Sequence, residues 1–196
     1  MKKIIFPILM ITFVVSTAFA EPFGLSKGMS VKEITNLSKK DFEPQNFTND
    51  DKYFFIPKNE DKNFKTCIAF IDKEQGLYRI NALGLATKTS VDGTEIKKLF
   101  YSIVEDLSKS YGTPIIIDQV DISYGSNEDK FWLHSLAAGA RDFYAKWEKG
   151  EKNTFLPKDL EKVVLSVKAT LRDATLIIDY YFSNYVEIEK KKKNAL

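Results

Sequence analysis

Two runs near the C-terminus constrain this chain more than any other feature of it. Val163, Leu165, Val167, Ala169 and Leu171 alternate with Lys162, Ser166, Lys168, Thr170 and Arg172. Beyond a tight turn near Asp173, Leu176, Ile178, Tyr180 and Phe182 alternate with Thr175, Asp179, Tyr181 and Ser183. A period of two belongs to a strand whose successive side chains point to opposite faces. The runs therefore predict paired antiparallel strands with one face buried and one wet. Phe143, Ala145 and Trp147 alternate in the same way with Tyr144, Lys146 and Glu148, which adds a third strand.

Upstream the pattern is similar. Tyr53 to Ile56 reads as a strand stopped by Pro57, and Phe64 to Ile71 as a second. Asp72-Lys73-Glu74-Gln75-Gly76 then forms a hairpin turn, with Gly76 free to take a positive φ, and the third strand runs from Leu77 to Ala86. Helices separate and flank these groups. Ser30 and Glu33 have capping-box spacing, with Met29 and Ile34 at the staple positions, and predict a helix over 31–39. The polar stretch from Asp41 to Asp51 reads as loop. Asp92 and Glu95 open a longer helix in which Ile96, Leu99, Phe100, Ile103, Leu107 and Tyr111 recur at spacings of three and four before Gly112 and Pro114 end it. A further helix is expected over 126–139, and Glu187 to Lys193 closes the chain with helical Glu–Lys spacing. The fold class is α+β, an antiparallel sheet with helices packed on one side. The element order also divides into two αβββ units, 21–90 and 91–196.

The first 20 residues read differently. Met1-Lys2-Lys3 is a positive start, Ile4 to Val15 is apolar apart from Pro7 and Thr12, and Ala18-Phe19-Ala20 places small residues at the positions a signal peptidase inspects. Cleavage between Ala20 and Glu21 is expected, leaving 21–196 as one exported domain in the periplasm or outside the cell. An apolar stretch of about a dozen residues is too short to span a bilayer, which needs roughly 20. Glu21 also stands where a lipoprotein would carry its lipidated cysteine.

Charge and residue type then limit the chemistry. The chain has 29 basic and 27 acidic residues, and without Lys2 and Lys3 the balance is 27 against 27. Setting aside Lys190 to Lys193 leaves 23 against 27, a mildly acidic body with a basic tail able to touch anionic lipid headgroups. Arg79, Arg141 and Arg172 are the only arginines, so nucleic-acid binding is not expected. Cys67 is the single cysteine, which excludes an internal disulfide and reads as a small buried hydrophobe. No catalytic, cofactor or metal motif is present. His134, the only histidine, shares its segment with Phe131, Trp132 and Leu136 and reads as a packing residue. Three acidic pairs could in principle hydrolyse a glycosidic bond: Asp50-Asp51, Asp118 with Asp121, and Glu128-Asp129. Aromatics remain. Tyr144, Tyr181 and Tyr185 fall on the outward side of their elements, and exposed tyrosine is common in protein interfaces, so they are the expected partner site.

Pro22-Phe23-Gly24-Leu25, Gly28-Met29-Ser30, Glu33-Ile34, Gly76-Leu77-Tyr78-Arg79-Ile80, Thr89 to Gly93, Tyr111-Gly112 and Lys193-Asn194-Ala195-Leu196 together resemble a family of small exported bacterial proteins with no assigned activity. A more distant resemblance is to outer-membrane assembly lipoproteins of the SmpA/BamE type and to β-lactamase-inhibitor-like domains, where a Gly-Met-Ser/Thr helix start precedes antiparallel strands. The chain departs from the lipoproteins at Glu21 and lacks Gly-x-Pro after its first helix. Taken together, the expectation is a non-catalytic exported protein that binds a protein partner in the envelope. Its role is either an assembly accessory or an inhibitor or immunity-type protein blocking an enzyme. The rival expectation is a small hydrolase of envelope glycan or peptide.

Overall fold

A computed structural model of the chain describes residues 21–39, 45–46, 51–59, 61–121 and 131–194. The leader with Ala18 and Ala20, Asp50, and the pair Glu128-Asp129 lie outside them. A 3-10 turn, Pro22–Gly24, precedes α1 (Val31–Leu37), β1 (Gln45–Asn46), β2 (Lys52–Phe55), β3 (Phe64–Asp72), β4 (Gly76–Gly84) and β5 (Thr87–Lys88). After α2 (Thr94–Tyr111) come β6 (Ile115–Val120), α3 (Trp132–Ala137), β7 (Arg141–Glu148), β8 (Leu160–Ala169), β9 (Asp173–Phe182) and α4 (Tyr185–Asn194).

All strands belong to one antiparallel sheet in the order β1-β2-β3-β4-β9-β8-β7-β6, with β5 also paired to β9. The fold is α+β. Two four-strand meanders meet through their last strands, β4 and β9, so each half contributes one strand more to the path than the sequence pattern predicts. The additional strands are β1, inside the expected loop, and β6, which follows Pro114 directly. The Asp72 turn closes as expected: its carboxylate accepts from the N–H groups of Glu74 and Gln75, and Gly76 adopts φ 69°.

The alternating runs pack as read. Val163, Leu165, Val167, Leu176, Ile178, Tyr180 and Phe182 face a single core with Phe143, Ala145 and Trp147. Over that face α1 lays Ile34, α2 lays Ile96, Phe100, Ile103, Val104 and Tyr111, and α3 lays Trp132 and Leu133. Leu171 is the exception to the alternation. It is 69% exposed because the strand ends at Ala169 and a turn begins, closed by the Thr170 N–H donating to the Asp173 carbonyl at 2.8 Å.

α4 lies on the opposite face. A bulge where β3 passes β4 sets Tyr78 and Arg79 side by side on that face instead of alternating, because Phe70 pairs with Arg79 while Ile71 pairs with Leu77. Ile188 of α4 and Tyr78 are both buried there, outside the main core cluster, with Tyr185 stacked on Tyr78 at 6.3 Å. Among the described residues three helices thus cover one face and α4 covers one end of the other.

Helix starts follow local chemistry. Ser30 and Glu33 form the expected capping box, the Ser30 N–H donating to Glu33 Oε2 at 2.8 Å and the Glu33 N–H to Ser30 Oγ at 3.4 Å. At α2 the cap residue is Gly93 in a left-handed conformation, not Asp92, since a side chain there would meet the buried Trp132 ring. Asp92 instead accepts from the Thr94 N–H, and Glu95 reaches back to the Ser90 N–H at 2.7 Å. Hydrogen bonds from Ser90 and Thr94 hold Asp92, and from Ser90 hold Glu95, each at a pKa of about 2. Because these values lie below the ordinary 3.8 and 4.5, the linked stability is complete above about pH 4.5 and is lost as pH falls toward 2. Urea midpoints measured from pH 6 to pH 2 should therefore fall more for the parent than for Glu95→Gln.

Candidate functional site

The site begins at the sheet edge. β6 is the outer strand, and among the described residues nothing pairs with its far side. The Asp121 N–H donates to the Ala140 carbonyl at 2.8 Å, and Gln119, Ile117 and Ile115 stand opposite Asp142, Tyr144 and Lys146. Antiparallel alternation then turns the N–H groups of Ile115, Ile117 and Gln119 into the sheet and those of Ile116, Asp118 and Val120 outward. Sheet edges are commonly blunted with lysine, proline or a bulge. β6 has no lysine or proline, its register with β7 is unbroken, and Ile115 and Ile116 are 39% and 40% exposed. Tyr144 stands directly beside Ile117 on the face away from the core and is half-buried.

Tyr181 and Tyr185 share that face with Tyr144, and all three are half-buried. Tyr185 opens α4, which packs against Tyr181 and Tyr78. The Tyr181 and Tyr185 rings meet edge to face at 4.7 Å, and the Arg79 guanidinium lies between Phe70 and Tyr181, 4.6 and 5.0 Å from their centroids. Lys162 covers Tyr181 from the β8 side at 4.6 Å. Burial, then the Asp179 charge, pushes the Tyr181 hydroxyl up to about 12. Beneath this layer Asp179 Oδ1 accepts from Arg79 Nε at 3.0 Å, Arg79 Nη2 at 2.8 Å and Asn81 Nδ2 at 3.0 Å. The structure thus divides the expected tyrosine trio: Tyr181 and Tyr185 anchor α4, and Tyr144 borders the open edge.

Each residue considered for catalysis has a setting of its own. Cys67 is fully buried on β3 opposite Ala82, and burial raises its thiol far out of the reactive range. The His134 ring stacks on Phe131 at 6.4 Å. Asp118 is bound by the Arg141 guanidinium and by Trp132 Nε1, which explains a carboxylate on the inner side of β6. Asp51 sits in a left-handed turn at φ 57°. Among the described residues no group of three or more His, Cys, Asp or Glu side chains is placed to hold a metal ion. On α4, Lys191 approaches Glu187 at 3.5 Å and Glu74 at 3.7 Å, and Lys192 donates to the Tyr78 hydroxyl at 2.9 Å, so half of the lysine run is turned onto the protein itself. No helix among the described residues is long and apolar enough to cross a membrane.

A second feature has no counterpart in the sequence reading. A cleft of about 430 Å³ opens between the Pro22–Gly24 turn, Asn59, Asp61 to Phe64 and the C-terminal half of α2. Phe23, Tyr111 and Tyr180 line it, with Glu21, Asp61, Lys62 and Asp106. Searches against family models, curated proteins and solved structures return no match for this chain.

Proposed function

We propose that this is a non-catalytic protein of the cell envelope that binds a protein partner by adding one of the partner's strands to β6. The β6 edge carries the reading: three outward backbone N–H groups, at Ile116, Asp118 and Val120, with their carbonyls, next to exposed isoleucines, without lysine, proline or bulge in the strand, and with its one charged side chain, Asp118, paired to Arg141. An extended segment would satisfy that backbone row and gain specificity from alternate side chains. Ile115, Ile117 and Tyr144 favour apolar residues on one side of such a segment, and Ile116 favours an apolar residue on the other. The leader supports export, and the separate fates of Cys67, His134 and Asp118 support a binding role over hydrolysis. Assembly accessory and enzyme inhibitor are two settings for the same contact.

The test is a photoreactive residue at Ile117 in intact cells, with Tyr181 as a second position. A discrete protein adduct is expected at Ile117 only. Ile116→Pro should weaken partner binding at least about tenfold by deleting an outward N–H, and leave the folded protein intact because that N–H has no internal partner. An adduct that survives Ile116→Pro, or one that forms equally at Tyr181, contradicts strand addition at β6.

A further inference from the structure

The helix side of the β6 edge holds an aromatic that the backbone row does not use. Nine large apolar side chains are exposed among the described residues, and four of them, Tyr101, Ile115, Ile116 and Phe155, gather at this edge. Grouped exposure marks a partner surface, whereas apolar residues exposed singly do not. Phe155 is held near the Ile115 end of β6 by backbone: its N–H donates to the Tyr111 carbonyl and the Thr113 N–H donates to the Asn153 carbonyl, both at 2.9 Å. Tyr101 comes from α2. The other flank of that helix carries Asp106, which faces Lys62 at 3.9 Å and so lies toward the start of β3. The Tyr101 flank therefore turns toward β7 and β6. Its ring stands edge-on to Phe143 at 6.3 Å, and Lys97, one turn earlier, covers the Trp132 ring at 4.6 Å. Phe143 is opposite Asp118, and Ile116 is the next side chain of β6 on the same face.

Tyr101 rests one side on Phe100 and Phe143 and leaves 49% of its surface open. Ile116 stands opposite the core residue Ala145 and so points to the helix side, yet it is 40% exposed, because the helix layer stops short of β6. A strand added to β6 turns the residue opposite Ile116 to this same side. A short side chain there would touch Ile116 alone, whereas a ring also reaches Tyr101, with the edge-to-face geometry that aromatic pairs favour. Charge does not compete for the position. Arg141 and Trp132 Nε1 hold the Asp118 carboxylate, and Lys97 lies on the Trp132 ring. Resting on the strand addition described above, we infer that Tyr101 selects the partner: the segment that joins β6 carries an aromatic side chain opposite Ile116, packed between Ile116 and the Tyr101 ring. Phe155 extends the apolar contact past the Ile115 end.

Titration with capped eight-residue peptides of alternating threonine and valine, with a lysine at each end, tests this by amide NMR. The valines suit the Tyr144 side of β6, and one threonine on the helix side is replaced by phenylalanine, leucine or serine. The phenylalanine peptide should protect the amides of Ile116, Asp118 and Val120 and bind at least about tenfold more tightly than the serine peptide, as one buried ring implies. Tyr101→Ala should cut that preference to about threefold or less while leaving the serine peptide's affinity unchanged, and Tyr101→Phe should keep it. A melting temperature close to the parent's shows that Tyr101→Ala is folded. An unchanged preference in Tyr101→Ala overturns the selection, and strand addition still stands if the three amides are protected. A leucine peptide that binds as tightly as the phenylalanine peptide also overturns it. Binding without protection of those amides counts against both the selection and strand addition. If none of the peptides binds at millimolar concentration, selection by Tyr101 falls, while the Ile117 crosslink in cells still decides the strand contact.

Discussion

Gly76→Ala is expected to destabilise the protein by about 3 kcal/mol or more, whereas Gly139→Ala should cost only about 1 kcal/mol. Both glycines have positive φ, 69° and 72°, so the conformational cost of a side chain is the same at both. Their surroundings differ. A Cβ at Gly139 would meet nothing within 4 Å, while one at Gly76 would fall 2.1 Å from the Gly28 carbonyl oxygen. That approach is built by the backbone. The Gly28 N–H donates to the Leu77 carbonyl and the Leu77 N–H to the Met29 carbonyl, both at 2.9 Å, which latches the N-terminal segment onto the start of β4. A methyl group cannot be accommodated without parting the latch. Because Pro22 to Gly24 form one wall of the α2 cleft, Gly76→Ala should also loosen that wall. Denaturant midpoints for the two variants measure the difference directly, and equal losses would show that the close approach does not matter.

Asp179→Ala is expected to cost about 3 kcal/mol, roughly 6 to 12 °C in melting temperature for a chain of this size. The side chain accepts three hydrogen bonds in a mostly buried layer, and its loss leaves the Arg79 guanidinium between Phe70 and Tyr181 without its counter-charge. Replacing both partners by apolar residues, Arg79→Met with Asp179→Leu, should restore most of the loss, because a desolvated pair returns little net stability while a broken one leaves a stranded charge. Thermal melts of the single and double variants form the comparison. If the double variant is as unstable as Asp179→Ala, the ion pair contributes more than the desolvation argument allows. The same layer holds α4, so Asp179→Ala should also raise proteolytic nicking near Tyr185.

Much of this architecture is legible in local pattern. The strands from Phe64 to Phe182 that alternate cleanly appear where the alternation puts them, and Ser30-Glu33 caps α1 as its spacing implies. Features set by contacts distant in sequence are not legible. β6 alternates poorly because it is exposed on both sides, yet the β-branched run Ile115-Ile116-Ile117 directly after a proline is a strand signal that could have revealed it. Tyr181 and Tyr185 sit on the outward face, as the alternation implies, but nothing local announces that α4 packs back onto the sheet through Tyr78 and Ile188. The bulge at Tyr78 is likewise invisible, since it depends on the register with Phe70. The α2 cleft joins residues 21–24, 59 with 61–64, and 103–111 with Tyr180, four segments that only the fold brings together.

Amide hydrogen exchange at single-residue resolution separates a docking edge at β6 from a merely solvated one. In the free protein the amides of Ile116, Asp118 and Val120 should exchange rapidly and those of Ile115, Ile117 and Gln119 slowly. With the partner captured through Ile117 bound, Ile116, Asp118 and Val120 should become protected together, in strand alternation. Unchanged exchange at these three amides in the complex, with protection appearing elsewhere on the sheet, would mean that the partner docks at another surface.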